Sequence, residues 1–228
     1  MENNHNFLYL IWKDPKSRRN YTVGKLTKGE KYTFEYCQEY KQALNAGWEL
    51  LNAFPYEKFY ESDTLFAAFA SRLPDPKRRG IGAILKKYGL DQYDGYELLK
   101  RSSGKLPIDT YEFIDPIFPD DETVKKEFYL MGLRHYMSCD GKDCSLRPDL
   151  KIGDALSLLP DKDNQYDQYA ISVLSHNGTM LGYIPRYYSE SVSLRLEKGM
   201  TYLCEIIELT TDSVCDNCIR VRLTMPKA

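Results

Sequence analysis

Short stretches of alternating apolar and polar residues, broken by turn signals, run through most of this chain and predict half-buried strands. Residues 7–12, Phe-Leu-Tyr-Leu-Ile-Trp, stop at Lys13-Asp14-Pro15 and read as a strand. Residues 21–26 and 32–36 follow, the second with period two, and Lys28-Gly29-Glu30 turns the chain between them. An antiparallel meander is expected at the start. The pattern then becomes helical. Ser62-Asp63-Thr64 offers an N-cap before a run with Leu65, Phe66, Phe69 and Leu73 on one face, stopped by Pro74. A second helix is expected over 77–88, with Ile81, Ile84, Leu85 and Tyr88 inward and Gly89 as its stop. A third, short one falls at 93–100. Residues 106–117, bracketed by Pro107 and Pro116, read as extended.

Residues 118–127 carry prolines and charges with little to bury, which places a domain boundary there. Beyond it, strands are expected at 128–137, 152–159, 169–174, 180–184, 201–208 and 218–225. Turns are expected at Asp161-Lys162-Asp163-Asn164, His176-Asn177-Gly178 and Lys198-Gly199. One helix interrupts them near 188–198, where Tyr188, Val192 and Leu196 form a stripe and Ser189 or a neighbour is available as a cap. The expected fold class is α+β. An antiparallel sheet with helices (residues 1–120) precedes a small, mostly β barrel with one helix (residues 125–228).

Composition narrows the function. The formal net charge is −2, and residues 125–228 carry 13 Lys and Arg against 14 Asp and Glu. A nucleic-acid site would therefore be a local set of cations and aromatics rather than a field over the whole surface. Most of the nineteen tyrosines should be packing. No apolar run reaches the length of a membrane span, and the first residues lack the pattern of a secretory signal, so a cytoplasmic protein is expected. Its six cysteines then read as thiols or metal ligands rather than disulfides. Cys139-x4-Cys144 and Cys215-x2-Cys218 would form a four-thiolate zinc site only if their loops converged, so buried packing is the default and no metal or cofactor is expected. Walker loops, His-Glu-x-x-His and serine-elbow patterns are absent, which points away from an enzyme.

Three ordered motifs of the second half carry a resemblance. Gly132-Leu133-Arg134-His135-Tyr136, Asn164-Gln165-Tyr166-Asp167-Gln168-Tyr169-Ala170-Ile171 and Gly182-Tyr183-Ile184-Pro185-Arg186-Tyr187-Tyr188 resemble the HIRAN family, and Leu150-Lys151-Ile152-Gly153-Asp154 resembles its second-strand entry. The resemblance implies a β-barrel that grips the 3′ end of single-stranded DNA. Aromatic rings stack on terminal bases, and the aspartate of a Tyr-Asp pair receives the 3′ hydroxyl. Carried over, Arg134 would meet phosphate, Tyr166 would form an aromatic wall and Asp167 would accept from the hydroxyl. His135 stands where eukaryotic relatives have tyrosine. Asp167 also has a plain reading, as the cap of the polar turn before residues 169–174. Arg134, Tyr136, Arg186, Tyr187 and Tyr188 would form a basic and aromatic ledge, with Tyr183 a further binding candidate, against the alternative that Tyr136 and Tyr188 are core rings and the arginines are solvated.

In the first half, Val23-Gly24-Lys25-Leu26, the tyrosine-rich strand to Tyr36, residues 60–66 and Arg72-Leu73-Pro74 resemble the N-terminal subdomain of HipA-type serine/threonine kinases. That resemblance implies an interaction domain with a protein partner of kinase-like type. The expected function is non-catalytic recognition of single-stranded DNA, or RNA, at its ends. The competing reading is an antitoxin-like protein–protein regulator that binds no nucleic acid.

Overall fold

The computed structural model describes residues 6–37, 39–118, 121, 123–137, 150–210 and 218–226. The chain divides into two compact units, Met1–Pro116 and Ile117–Ala228.

The first unit is built on a five-stranded antiparallel sheet. Strands β1 (Phe7–Lys13), β2 (Asn20–Lys28) and β3 (Tyr32–Tyr36) form the expected meander. Strands β4 (Tyr60–Ser62) and β5 (Tyr111–Ile114) add its edges, in the order β4-β3-β2-β1-β5. Every pairing is antiparallel. The core is largely aromatic. The Phe54 ring lies 4.4 Å from Phe34, 5.2 Å from Phe69 and 5.1 Å from Phe66, with Phe69 edge-on to Phe113. Two of the packed rings have their polar tips paired. Tyr36 donates to the Phe54 carbonyl at 2.6 Å and accepts from the Leu51 amide at 3.1 Å, and Trp48 Nε1 donates to the Tyr111 hydroxyl at 2.6 Å.

Two helices of this unit are shorter than their patterns suggested. Helix α1 (Tyr40–Asn45) was unsignalled, since Glu39 makes no side-chain cap, yet it buries Tyr40 and Ala43. Helix α2 (Ala67–Ala70) does not start at Ser62-Asp63-Thr64, because Ser62 ends β4 opposite Tyr32. Helix α3 (Ile81–Lys87) begins only after Gly80 and buries Leu85 alone; Ile81, Ile84 and Tyr88 are half-buried. Helix α4 (Gly95–Ser102) is capped by Asp94, which accepts from the Tyr96 and Glu97 amides and from Lys28 Nζ at 2.9 Å.

The second unit holds two three-stranded antiparallel sheets. In chain order come β6 (Val124–Tyr129), α5 (Leu133–Tyr136), β7 (Ser157–Pro160), β8 (Ile171–Leu174), β9 (Met180–Tyr183), α6 (Arg186–Glu197), β10 (Leu203–Leu209) and β11 (Ile219–Met225). The sheets are β10-β11-β6 and β7-β8-β9. Single bridges, Met131↔Tyr183 and Ala155↔Glu205, link one to the other. The arrangement is an open barrel rather than a closed one.

Three expectations here need correction. Residues 124–127 are not linker but the start of β6, which pairs along β11 from Met225↔Val124 to Arg220↔Tyr129. Its Glu127 fits because two arginines of β11 meet it. Arg222 reaches Glu127 at 2.9 Å and Glu205 at 3.1 Å, and Arg220 reaches Glu127 at 3.1 Å and Glu208 at 3.5 Å. Residues 128–137 are not one strand, since Gly132 adopts φ 75° and α5 follows. Residues 152–154 form a turn instead of a strand, with the Lys151 amide donating to Asp154 at 2.7 Å. The stretch after Pro116 is tied into this unit as well: buried Arg195 of α6 donates to the Phe118 and Asp121 carbonyls at 2.7 and 2.9 Å.

Candidate nucleic-acid interface

Three segments supply the interface residues, and each is placed by a local device. The first is α5. Gly132 before it takes a left-handed backbone, which glycine adopts without a Cβ clash. Leu133 is buried and anchors the helix, which leaves Arg134, His135 and Tyr136 exposed. Met131 and Tyr183 exchange both backbone hydrogen bonds, at 2.8 and 2.9 Å. A side chain at Gly182 would collide with the Met131 carbonyl, so glycine there lets β9 approach the chain entering α5. The Tyr136 and Tyr183 rings consequently meet edge to face, with centroids 5.6 Å apart and planes at 71°.

The second segment is the turn of residues 161–167. Asn164 Oδ1 accepts from the amides of Tyr166 and Asp167 at 3.0 and 3.1 Å, an Asx-type turn that leaves the Tyr166 side chain 88% exposed. Asp161, the first residue of this turn, reaches the tyrosine pair. One of its oxygens accepts from Tyr183 at 2.7 Å and from Asn164 Nδ2 at 3.2 Å. Those bonds hold its carboxyl below the usual carboxylate range. Burial raises the Tyr183 phenol, reinforced by its hydrogen bonds with Tyr136 and Asp161.

The third segment is the first turn of α6. Arg186 is exposed there, and Tyr187 packs edge-on to Tyr188 at 4.7 Å. Tyr188 is a core ring, buried and 5.6 Å from Phe128, whereas Tyr136 is not. Ser189 does not cap the helix, which starts after Pro185 without a side-chain cap. It donates instead to Asp167 at 2.7 Å. The other Asp167 oxygen accepts from the Tyr169 amide at 3.0 Å, so Asp167 ties the turn to α6 as a capping group. A carboxylate has about four acceptor positions, so capacity for a further donor remains.

The structure thus joins Tyr136, Tyr183, Tyr166 and Asp167 through a hydrogen-bonded chain running by way of Asp161 and Asn164. Two members escaped sequence reading. Asp161 stood in a run read only as a turn, and Ser189 was read only as a helix cap. Arg134 and Arg186 form no ion pair among the described residues, unlike Arg220 and Arg222. A guanidinium that no described carboxylate engages is available to phosphate. Of the cysteines considered for zinc, Cys139, Cys144 and Cys215 lie outside the described residues, and Cys218 is buried. No group of metal ligands occurs among the described residues. Nor does any helix among them have the length and apolarity to cross a membrane.

Comparison with known proteins finds similarity over part of the chain. The crystal structure of the HIRAN domain of human HLTF is 17% identical, covering 46% of this chain and 78% of that one, with a TM-score of 0.33. A structure of a protein from Lactobacillus plantarum is 21% identical, covering 46% of this chain and 99% of that one, with a TM-score of 0.35. No curated protein matches. The family model for the HIRAN domain matches residues 125–224, a span that contains all three interface segments. Over residues 125–224 the chain is thus similar to the HIRAN domain.

Proposed function

We propose that the HIRAN domain of this chain binds single-stranded nucleic acid, and single-stranded DNA with a free 3′ hydroxyl in preference. The observation that carries this reading is the ledge itself. Tyr136 and Tyr166 are exposed on segments joined through Tyr183, Asp161 and Asn164, with exposed Arg134 nearby in α5 and Arg186 at the start of α6. Base stacking on exposed rings contributes about 1–3 kcal/mol per base and tolerates any sequence, while guanidinium groups hold the backbone. The HIRAN assignment supports nucleic-acid binding in its own right.

The end preference rests on Asp167. An ionised carboxylate accepts from a hydroxyl but repels a phosphate that replaces it. Fluorescence anisotropy with strands ending in hydroxyl or phosphate tests this. The hydroxyl strand should bind about tenfold or more tighter, as loss of one charge-assisted hydrogen bond implies. Because Asp167 also caps its turn, the informative variant is Asp167→Asn. Its amide oxygen can still accept from Tyr169 while the negative charge is gone. That variant should lose the hydroxyl preference and keep most of its affinity for the strand. If the wild type ignores the end group, the preference is wrong; if it binds no single strand at low salt, the ledge is not a nucleic-acid site.

A second reading concerns residues 1–116, as an interaction domain for a protein partner of kinase-like type. Tyr56 and Phe59 favour it, being 67% and 57% exposed on neighbouring loop positions. Partner capture should fail when both become serine. A double variant that retains every partner would refute the assignment.

A further inference from the structure

Resting on the single-strand reading above, we infer that Asp161 is a positioning residue for base recognition, holding the two aromatic walls of the ledge together and fixing the direction of the tyrosine hydroxyls. The argument starts from proton inventory. An ionised carboxylate can only accept, so the single hydroxyl proton of Tyr183 is directed to Asp161 at 2.7 Å. The Tyr183 oxygen can then only accept from its other neighbour. Tyr136, 3.3 Å away, must be the donor in that pair. With its proton so committed, the Tyr136 oxygen offers an incoming ligand lone pairs only. Lone pairs suit the amino and imino donors of bases and are repelled by phosphate oxygens.

The same Asp161 oxygen accepts from Asn164, whose own Oδ1 holds the Tyr166 and Asp167 amides. One carboxylate therefore bridges the Tyr136–Tyr183 pair and the turn that carries Tyr166. Neither wall has this support alone: α5 is only four residues long, and Tyr166 is almost wholly exposed. Two stacking surfaces held in a set arrangement require less ordering when a strand binds, which favours affinity.

The prediction has an unusual sign. Treated only as a charge beside a phosphate backbone, Asp161 should weaken binding, and its removal should strengthen it. As a positioning residue it should do the reverse. The test compares an oligothymidylate with an abasic strand of equal length and backbone, using the full chain and the variants Asp161→Ala, Asp161→Asn, Tyr183→Phe and the Asp161→Ala/Tyr183→Phe double. Asp161→Ala and Tyr183→Phe should each weaken oligothymidylate binding by about tenfold, and the double variant by little more than either, because both remove the same link. Asp161→Asn should recover most of the affinity, since its amide oxygen still accepts from Tyr183. Abasic-strand affinity should not fall in any of them, and Tyr183→Phe should leave the salt dependence unchanged. Thermal unfolding of each variant separates loss of the link from loss of the fold, and Tyr183→Phe keeps the ring in place.

If Asp161→Ala binds oligothymidylate as well as the wild type or better, or weakens both strands alike, the inference fails and the single-strand reading stands. If the wild type itself binds neither strand, that reading fails and the inference falls with it.

Discussion

Gly182 faces the Met131 carbonyl so closely that even a methyl group there would overlap it. The contact is the bridge that seats α5 against β9, and it holds Tyr136 beside Tyr183. Gly182→Ala must push the two backbones apart. The expected cost is about 3 kcal/mol, at the upper end for overpacking because the obstacle is main chain and not a flexible side chain. Denaturant unfolding should show it as a lower midpoint with an unchanged slope. Single-strand affinity should fall in the same variant, since the Tyr136–Tyr183 contact depends on the bridge.

Cations and rings of the ledge should separate in a salt titration. Arg134→Ala and Arg186→Ala should each weaken all strands alike and lower the slope of log affinity against log salt by about 0.7, the value for one phosphate contact on a single strand. Tyr166→Ala should reduce affinity by the about 1–3 kcal/mol of one stacked base and leave that slope unchanged. Arg222→Ala is the control. Its guanidinium is already engaged by Glu127 and Glu205, so its loss should not alter the slope.

In the first unit, Arg72 and Asp109 should make stability dependent on acidity. The guanidinium grips the carboxylate through two bonds, at 2.7 and 2.8 Å, and also donates to the Gly104 and Tyr111 carbonyls. Burial pushes the Asp109 carboxyl up, but the Arg72 hydrogen bond, the Tyr111 amide and the Arg72 charge outweigh it and leave it below the usual range. A carboxyl with a depressed folded-state pKa stabilises the fold above its unfolded-state pKa. That contribution disappears as pH falls through the folded value. The unfolding midpoint should therefore drop on acidification, and Asp109→Asn should flatten the drop. Arg72→Ala should cost on the order of 3 kcal/mol near neutrality, because it leaves Asp109 partly buried and unpaired.

Asp94 serves two elements, the amides at the start of α4 and Lys28 at the end of β2. Asp94→Ala should destabilise the first unit by about 1–2 kcal/mol, the usual cost of a lost N-cap. Asp94→Ser should restore part of it, as serine caps but does not attract lysine. Thermal melts of the three proteins would show the order wild type, Ser, Ala. An Ala variant as stable as Ser would mean that the cap contributes nothing.

Residue order alone determined the elements whose signals are local. Strands β1, β2 and β3 follow from period-two alternation broken by turn residues, and α6 from the spacing of Tyr188, Val192 and Leu196. The three motifs around Arg134, Tyr166 and Tyr183 were legible too, because each is contiguous. Tertiary structure decided what depends on partners distant in sequence. Strand β6 begins inside a charged run because it pairs along β11, whose Arg220 and Arg222 meet Glu127. Helix α1 forms without a cap because Tyr40 and Ala43 find a core. Asp161 meets Tyr183, and Asp167 meets Ser189, across twenty-two residues in each case. No spacing rule announces such a pair. A carboxylate in a polar turn has the same local sequence whether it points to water or to a phenol, and only the fold of the chain around it brings the donor within reach.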